Sequence, residues 1–240
     1  ATIDLRYGSH SHLGTKLDKI SYPYQMTISH GSDIENVMTG SGNDYIIGND
    51  LDNLINTGDG DDVIYSGDGS DKIKSGTGSD IIDLGEENPS KDIIEMTTSI
   101  FGVGIDTIYG FTQGLGGDVF DLSSLFDEMP DYLPLVSIQN VPIAEYGMGI
   151  LRIFGEELNN AINLSEAFAS GGSMENLIMP ANEKSIIISA DSQNTGEDQN
   201  IFYANSSEDD VTYIHLATLR GNYLDIDKWD VSNFEIFDIA

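Results

Sequence analysis

The sequence predicts an all-β protein. A right-handed parallel β-roll covers residues 39–125, entered through N-terminal cap strands at 1–38. A mainly antiparallel β domain with one short helix follows over 126–240. Three observations predict this. A nine-residue glycine–aspartate repeat runs from residue 39 to 83. Isoleucine recurs at the eighth position of every unit. Beyond residue 126 the glycine rhythm gives way to longer β-branched and aromatic runs.

In register, the units are Thr39–Ile47, Gly48–Asn56, Thr57–Tyr65, Ser66–Lys74 and Ser75–Asp83. All but the second fit x-G-x-G-x-D-x-I-x. The first six residues of a unit form a turn and the last three a short strand. Gly40, Gly42, Gly58, Gly60, Gly67, Gly69, Gly76 and Gly78 hold turn positions two and four. Such turns need positive φ and close backbone approach. Asp44, Asp62, Asp71 and Asp80 hold position six. Ile46, Ile55, Ile64, Ile73 and Ile82 hold position eight, and one apolar β-branched residue per strand suits a narrow core between two stacked sheets. Two units make one coil. Asp44, Asp62 and Asp80 therefore stack on one side, Asn53 and Asp71 on the other.

Stacked carboxylates and close-packed carbonyls suit a hard cation. Calcium takes about six to eight oxygens, so about three to five ions are expected along the turns. Without a cation the crowded aspartates oppose compaction, which makes calcium a condition of folding. A flexible linker would need neither the strict phase nor the isoleucines. An EF-hand is excluded. From Asp59, Val63 falls where the fifth loop position needs oxygen, and no glutamate follows at the twelfth.

The chain has 240 residues, with 41 acidic against 10 basic and a formal net charge of −31. Such a chain repels nucleic acid and acidic membrane surfaces. Cysteine is absent, which excludes disulfides and thiol chemistry. No apolar run approaches the ~18 residues that span a bilayer, so no membrane insertion is expected. The chain shows no signal peptide and no initiator Met, and it reads as a module of a longer protein.

Residues 1–85 resemble the C-terminal half of the serralysin metalloproteases, within the repeats-in-toxin (RTX) family of secreted proteins. Ala1–Arg6 (ATIDLR), Ile34–Met38 (IENVM), Gly40–Asp44 (GSGND) and Gly48–Asn53 (GNDLDN) carry the resemblance together with the repeats. It implies a calcium-filled roll at the C-terminus of a bacterial cargo. That cargo leaves through a type I secretion exporter, by an uncleaved C-terminal signal, and is extracellular or at the cell surface. It implies side-chain ligands at Asp44, Asp62, Asp71 and Asp80, with carbonyl ligands from Gly42, Gly60, Gly69 and Gly78. Gly40, Gly58, Gly67 and Gly76 complete those turns. Leu51 and Asn53 break the consensus, as do Asp33 and Glu35 in the unit before, implying a weaker or differently coordinated ion. The zinc motif H-E-x-x-H is absent, so this chain is not the protease part.

The remaining elements follow in order. Ile20–Ile28 is extended, with Tyr22–Pro23–Tyr24 marking an edge, and caps the start of the roll. Gly85–Lys91 is an insertion containing Pro89, after which Asp92–Ile94 resumes a strand. Phe101–Tyr109 and Gln113–Asp121 match the repeat again, 12 residues apart rather than nine. Asp106 and Asp118 are thus either further metal ligands or remnants that only shape turns. Asp121–Leu125 (DLSSL) resembles the ends of RTX rolls, those of alginate-modifying enzymes included. Strands are expected at Leu135–Gln139, Gly149–Phe154, Ser185–Ser189, Asn200–Ala204 and Val211–Leu219. A helix is expected at Leu164–Ala169, capped by Asn163 with Glu166 three residues on. This half is expected to pack on the end of the roll and cover its last coil. Asn233–Ala240 reads as a last strand and as part of the secretion signal.

Other chemistry is weakly represented. His10 and His12 would share a strand face, but with no cysteine and only His30 and His215 besides, a closed zinc site, which needs four ligands, is weakly supported. There is no G-x-S-x-G elbow. Gly114–Gly117 (GLGG) precedes a strand rather than the helix of a dinucleotide loop. Tyr203, Tyr213, Tyr223 and Trp229 read as core. The reading is a non-catalytic, monomeric calcium-binding module. The alternative is a carbohydrate- or surface-binding module of an adhesin or polysaccharide-modifying enzyme, with its glycan or cell-surface ligand held by residues 126–240.

Overall fold

The computed structural model describes residues 1–13, 26–85, 90–97 and 104–126. Beyond these it describes 135–138, 144–145, 149–154, 165–167, 177–178, 182, 184–190, 198–207, 210–221, 224 and 228–235. Among the described residues nearly all regular structure is strand, as the all-β expectation requires.

From residue 36 to 121 the chain alternates between two parallel sheets. The first takes Thr2–Asp4, Tyr45–Ile47, Val63–Tyr65, Ile81–Asp83 and Asp106–Tyr109 in that order. The second takes Asn36–Met38, Leu54–Asp59, Lys72–Thr77, Ile93–Glu95 and Val119–Asp121. Strand period two decides which side chains face inward. The central residue of each strand points between the sheets, and its neighbours point out. Ile3, Ile46, Ile64, Ile82 and Ile108 form one inward column, each pairing with the next. Val37, Ile55, Ile73, Ile94 and Phe120 form the other. All ten are buried in one continuous core. Burying such a side chain stabilises by about 1.5–3 kcal/mol, so the two columns are the main apolar support of this half.

The turns absorb the irregular spacing that the sequence shows after residue 83. Asp71 and Asp92 stack although 21 residues separate them, and Asp80 and Asp106 stack across 26. The inserted residues 86–89 and 98–103 lie outside the described residues, and the strands on either side stay in register.

The C-terminal half corrects one expectation. It covers the last coil, as expected, and does so by extending the first sheet; what it corrects is the strand directions. Val211–Arg220 pairs in parallel with Asp106–Tyr109, placing Leu219 beside Ile108. Gln199–Ser206 and Lys184–Ala190 follow antiparallel. Gly149–Phe154 and Leu135–Ile138 then add in parallel, so the C-terminal sheet is mixed rather than mainly antiparallel. Phe234–Glu235 likewise continues the second sheet beyond Val119–Asp121. The physical reason is the open edge of the last coil. Its unpaired N–H and C=O groups are satisfied best by another strand.

Aromatic rings seal this junction. Phe111 and Phe120 stack with centroids 4.7 Å apart, and Trp229 and Phe234 stack at 5.2 Å. Trp229 Nε1 donates to Gln199 Oε1 at 2.6 Å. Tyr203 and Trp229 are core, as expected, Tyr213 is half-buried, and Tyr223 lies outside the described residues. Residues 165–167 are helical, while Asn163, Leu164 and Ala169 lie outside the described residues. Met26–Thr27, from the expected cap segment, pairs antiparallel with His10–Ser11; Tyr22, Pro23 and Tyr24 lie outside the described residues. Among the described residues no helix is long and apolar enough to cross a membrane.

Candidate metal centre

The stacked turns form two polar edges along the parallel sheets. On the first edge, Asp44 N donates to Asp62 Oδ1 at 2.7 Å, Asp62 N to Asp80 Oδ1 at 2.9 Å, and Asp80 N to Asp106 Oδ1 at 3.0 Å. On the second, Asn53 N donates to Asp71 Oδ1 at 2.7 Å, Asp71 N to Asp92 Oδ1 at 2.8 Å, and Asp92 N to Asp118 Oδ1 at 2.8 Å. Each position-six carboxylate thus fastens the coil before it by one oxygen.

The second oxygens decide what the edges can do. Oδ2 of Asp62, Asp71 and Asp80 is buried without a hydrogen-bond partner. An unsatisfied buried carboxylate oxygen is costly. Burial pushes the Asp71 carboxyl up to about 6, against the pull of the Asn53 N–H and the Ser66 hydroxyl. Ser66 Oγ lies near enough to act electrostatically but outside bonding geometry, and is itself unpaired. Burial likewise raises Asp62 and Asp80. Asp106 keeps some exposure at the surface, yet burial pushes its carboxyl up to about 8, against the pull of the Asp80 N–H and with a smaller push from the Asp80 carboxylate. Asp118 differs. Its Oδ2 accepts from Thr112 N at 2.7 Å, so both of its oxygens are held by backbone.

The glycines bring carbonyl oxygens into the same edges. A Cβ on Gly76 would overlap the carbonyl oxygen of Gly58, and one on Gly78 the carbonyl oxygen of Gly60. Gly58 and Gly60 sit in the same way over Gly40 and Gly42, and Gly67 and Gly69 over Asn49 and Leu51. Gly40 and Gly42, at the first coil, have no such neighbour. Between the third and fourth turns of the first edge, a recess the size of a single water-like particle is lined by Gly76, Thr77, Gly78, Gly104 and Asp106, with Met96, Thr97 and Leu216 closing its other side. Thr57 and Ser75 add a buried hydroxyl ladder, in which Thr57 Oγ1 donates to the Ser75 carbonyl at 2.8 Å.

The donor set is all oxygen, with anionic groups whose second oxygens lack partners. It fits a hard cation such as calcium and lacks the nitrogen or sulfur that softer metals prefer. Among the described residues, no group of three or more His, Asp or Glu side chains is arranged to hold a metal by itself, so backbone carbonyls would have to complete any site. His10 Nδ1 contacts Thr27 Oγ1 at 2.8 Å, His30 packs on Tyr7, and His215 is buried against Phe202.

The fold brings together Asp44, Asp62, Asp80 and Asp106 on one edge and Asn53, Asp71 and Asp118 on the other. It adds Asp92, which glycine spacing does not reveal because the insertion before it breaks the phase. A signal was nevertheless present. Asp92 opens the triplet D-I-I, and the same aspartate–any–apolar triplet opens at Asp44, Asp62, Asp71, Asp80, Asp106 and Asp118. No protein-family model matches the chain, and a search of the curated proteins finds no significant match.

Proposed function

We propose that this chain is a non-catalytic calcium-binding β-roll module of a secreted bacterial protein, folding when it meets calcium outside the cell. The carrying observation is the set of buried, unpartnered oxygens on Asp62, Asp71 and Asp80 beside stacked carbonyls. A cation there would supply the missing partner and relieve part of the −31 charge. The RTX-like motifs of residues 1–85 support export through a type I channel read at the C-terminus, where residues 236–240 lie outside the described residues. Extracellular calcium modules bind at about 10⁻⁴–10⁻³ M, so the chain would stay unfolded where calcium is scarce. About four sites at ~100 times Kd would each add ~2.7 kcal/mol, together comparable with the stability of a typical domain.

Calcium titrated into the chelated chain, followed by calorimetry and far-UV circular dichroism, tests this. The expected outcome is a cooperative gain of β structure with several ions bound per chain. An identical folded spectrum in excess chelator would sink the reading.

A further inference from the structure

The outward faces of the two parallel sheets differ in chemistry. On the second sheet the outward side chains include Lys72, Lys74, Glu95 and Asp121. Lys74 pairs with Glu95, and Lys72 lies 3.8 Å from Asp121. Met38 is exposed on its far edge strand and Leu54 on the strand beside it. That face is mostly a solvated, charged surface.

The first sheet presents aromatic rings instead. Tyr45, Val63 and Ile81 form one outward column, and Ile47, Tyr65, Asp83 and Tyr109 the next. Tyr45, Tyr65 and Tyr109 are each about two-fifths exposed, as is Ile81. The rings of Tyr45 and Tyr65 tilt together with centroids 5.7 Å apart. Tyr65 and Tyr109 sit two strands apart, about 9–10 Å along the sheet. The Tyr65 hydroxyl is held above its ordinary pKa by Tyr45 first, with smaller effects from burial, Asp83 and Tyr109. Arg220 follows Tyr109 in register at the end of the column and lies 3.5 Å from Asp198.

We propose that this tyrosine-bearing face binds a neutral glycan, its sugar rings laid on Tyr45, Tyr65 and Tyr109 and its hydroxyls reaching Asp83 and Arg220. Tyrosine suits a sugar because it offers a flat apolar body to ring C–H groups and a polar tip to hydroxyls. Parallel pairing fixes the backbone spacing of the three tyrosines, and the Tyr45 and Tyr65 rings rest on each other. Charge selects the occupant. A chain of −31 repels anionic polysaccharides and a second copy of itself. A basic peptide would be drawn to the turn edges, where Asp50, Asp52, Asp59, Asp61 and Asp68 lie, rather than to an aromatic sheet face. The site lies within residues 45–109 and Arg220, not within the C-terminal half alone. It requires the folded sheet but no ion at the face itself.

The test uses the full chain in saturating calcium, with folding checked by circular dichroism. An array of neutral and anionic glycans is probed first. Hexaoses of glucose, N-acetylglucosamine and mannose, with a hexameric alginate fragment as anionic control, are then titrated calorimetrically. Binding of a neutral glycan is expected, weakened about tenfold or more by Tyr65→Thr with Tyr109→Thr. Leu54→Thr, on the opposite sheet, should leave it unchanged. If the double variant does not fold, Tyr109→Thr alone carries the comparison. No neutral glycan bound by the folded chain, preference for alginate, or affinity unchanged in the tyrosine variant would each overturn the proposal. So would a dimer in sedimentation that the same variant abolishes, which would assign the face to a second copy. Failure of the calcium reading shows separately, as a spectrum indifferent to chelator.

Discussion

At the scale of single residues, stacking makes some positions far less tolerant than their chemistry suggests. Gly76 has φ +99° and faces the Gly58 carbonyl, so Gly76→Ala combines backbone strain with overlap against main chain that cannot swing aside. A loss on the order of 1–3 kcal/mol is expected, read as a lower denaturation midpoint in calcium. Gly40 has neither positive φ nor a crowding neighbour, and Gly40→Ala should cost much less in the same assay. Asp71→Asn tests the other half of the motif. Asn53 already shows that an amide can stand at position six: its backbone N donates to Asp71 Oδ1 at 2.7 Å, while its own Oδ1 accepts from Asn49 N at 2.9 Å within the turn. The variant should therefore fold in saturating calcium while calorimetry shows fewer or weaker ions bound. An unchanged titration would remove Asp71 from the ligand set. Positions six and eight were legible because the repeat holds them in phase. Asp92 was not, because an insertion separates it from its turn glycines.

At the scale of elements, the last coil is held by a segment more than a hundred residues away. Asn233 is fully buried, and its Oδ1 accepts from Gly114 N at 2.9 Å and Asp230 N at 3.0 Å. Its Nδ2 donates to the carbonyl oxygens of Asp118 at 2.8 Å and Gly114 at 3.2 Å. This one amide ties the Phe234–Glu235 strand to the turn that ends the second edge. Asn233→Ala strands several of these buried groups and should cost about 2–4 kcal/mol. Faster amide exchange at Val119, whose N–H pairs with the Asp92 carbonyl, would show that the loss is felt in the last coil. Exchange unchanged there would make Asn233 a local cap only. The strands of this region were legible as β-branched runs. Their partners were not, because pairing across such separations leaves no periodic trace in the sequence.

At the scale of the whole molecule, the proposed calcium sites and protons would draw on one set of carboxylates. Asp71 and Asp106 are pushed up to about 6 and about 8 from 3.8, so in chelator the folded state binds protons more tightly than the unfolded chain. Their contribution is fully present below 3.8 and is lost as pH rises through 6 and 8. The calcium-free fold should therefore gain stability as pH falls from about 8 toward 6, measured by urea midpoint in chelator. His215, lowered from 6.5 to about 4 by burial, works against this below 6.5: its contribution is present above 6.5 and lost as pH falls from there toward 4. The gain should flatten between about pH 6.5 and 6 and resume below 6, where Asp71 takes up its proton, and His215→Phe should remove the flat stretch. A midpoint flat from pH 8 to 6 would show that the ladder carboxylates do not titrate as their burial requires. The sequence by itself determined the coil, because a nine-residue phase places an aspartate and an isoleucine at equivalent points of every unit. It also set the formal net charge of −31 and the aspartates that crowd the turns. Only the tertiary structure decided that Asp92 completes an edge, that Asp118 closes one with backbone on both oxygens, and that the C-terminal half continues the sheet. The reason is physical: a repeat is a local rule that sequence displays, whereas covering an open sheet edge is settled by whichever distant strand satisfies its hydrogen bonds.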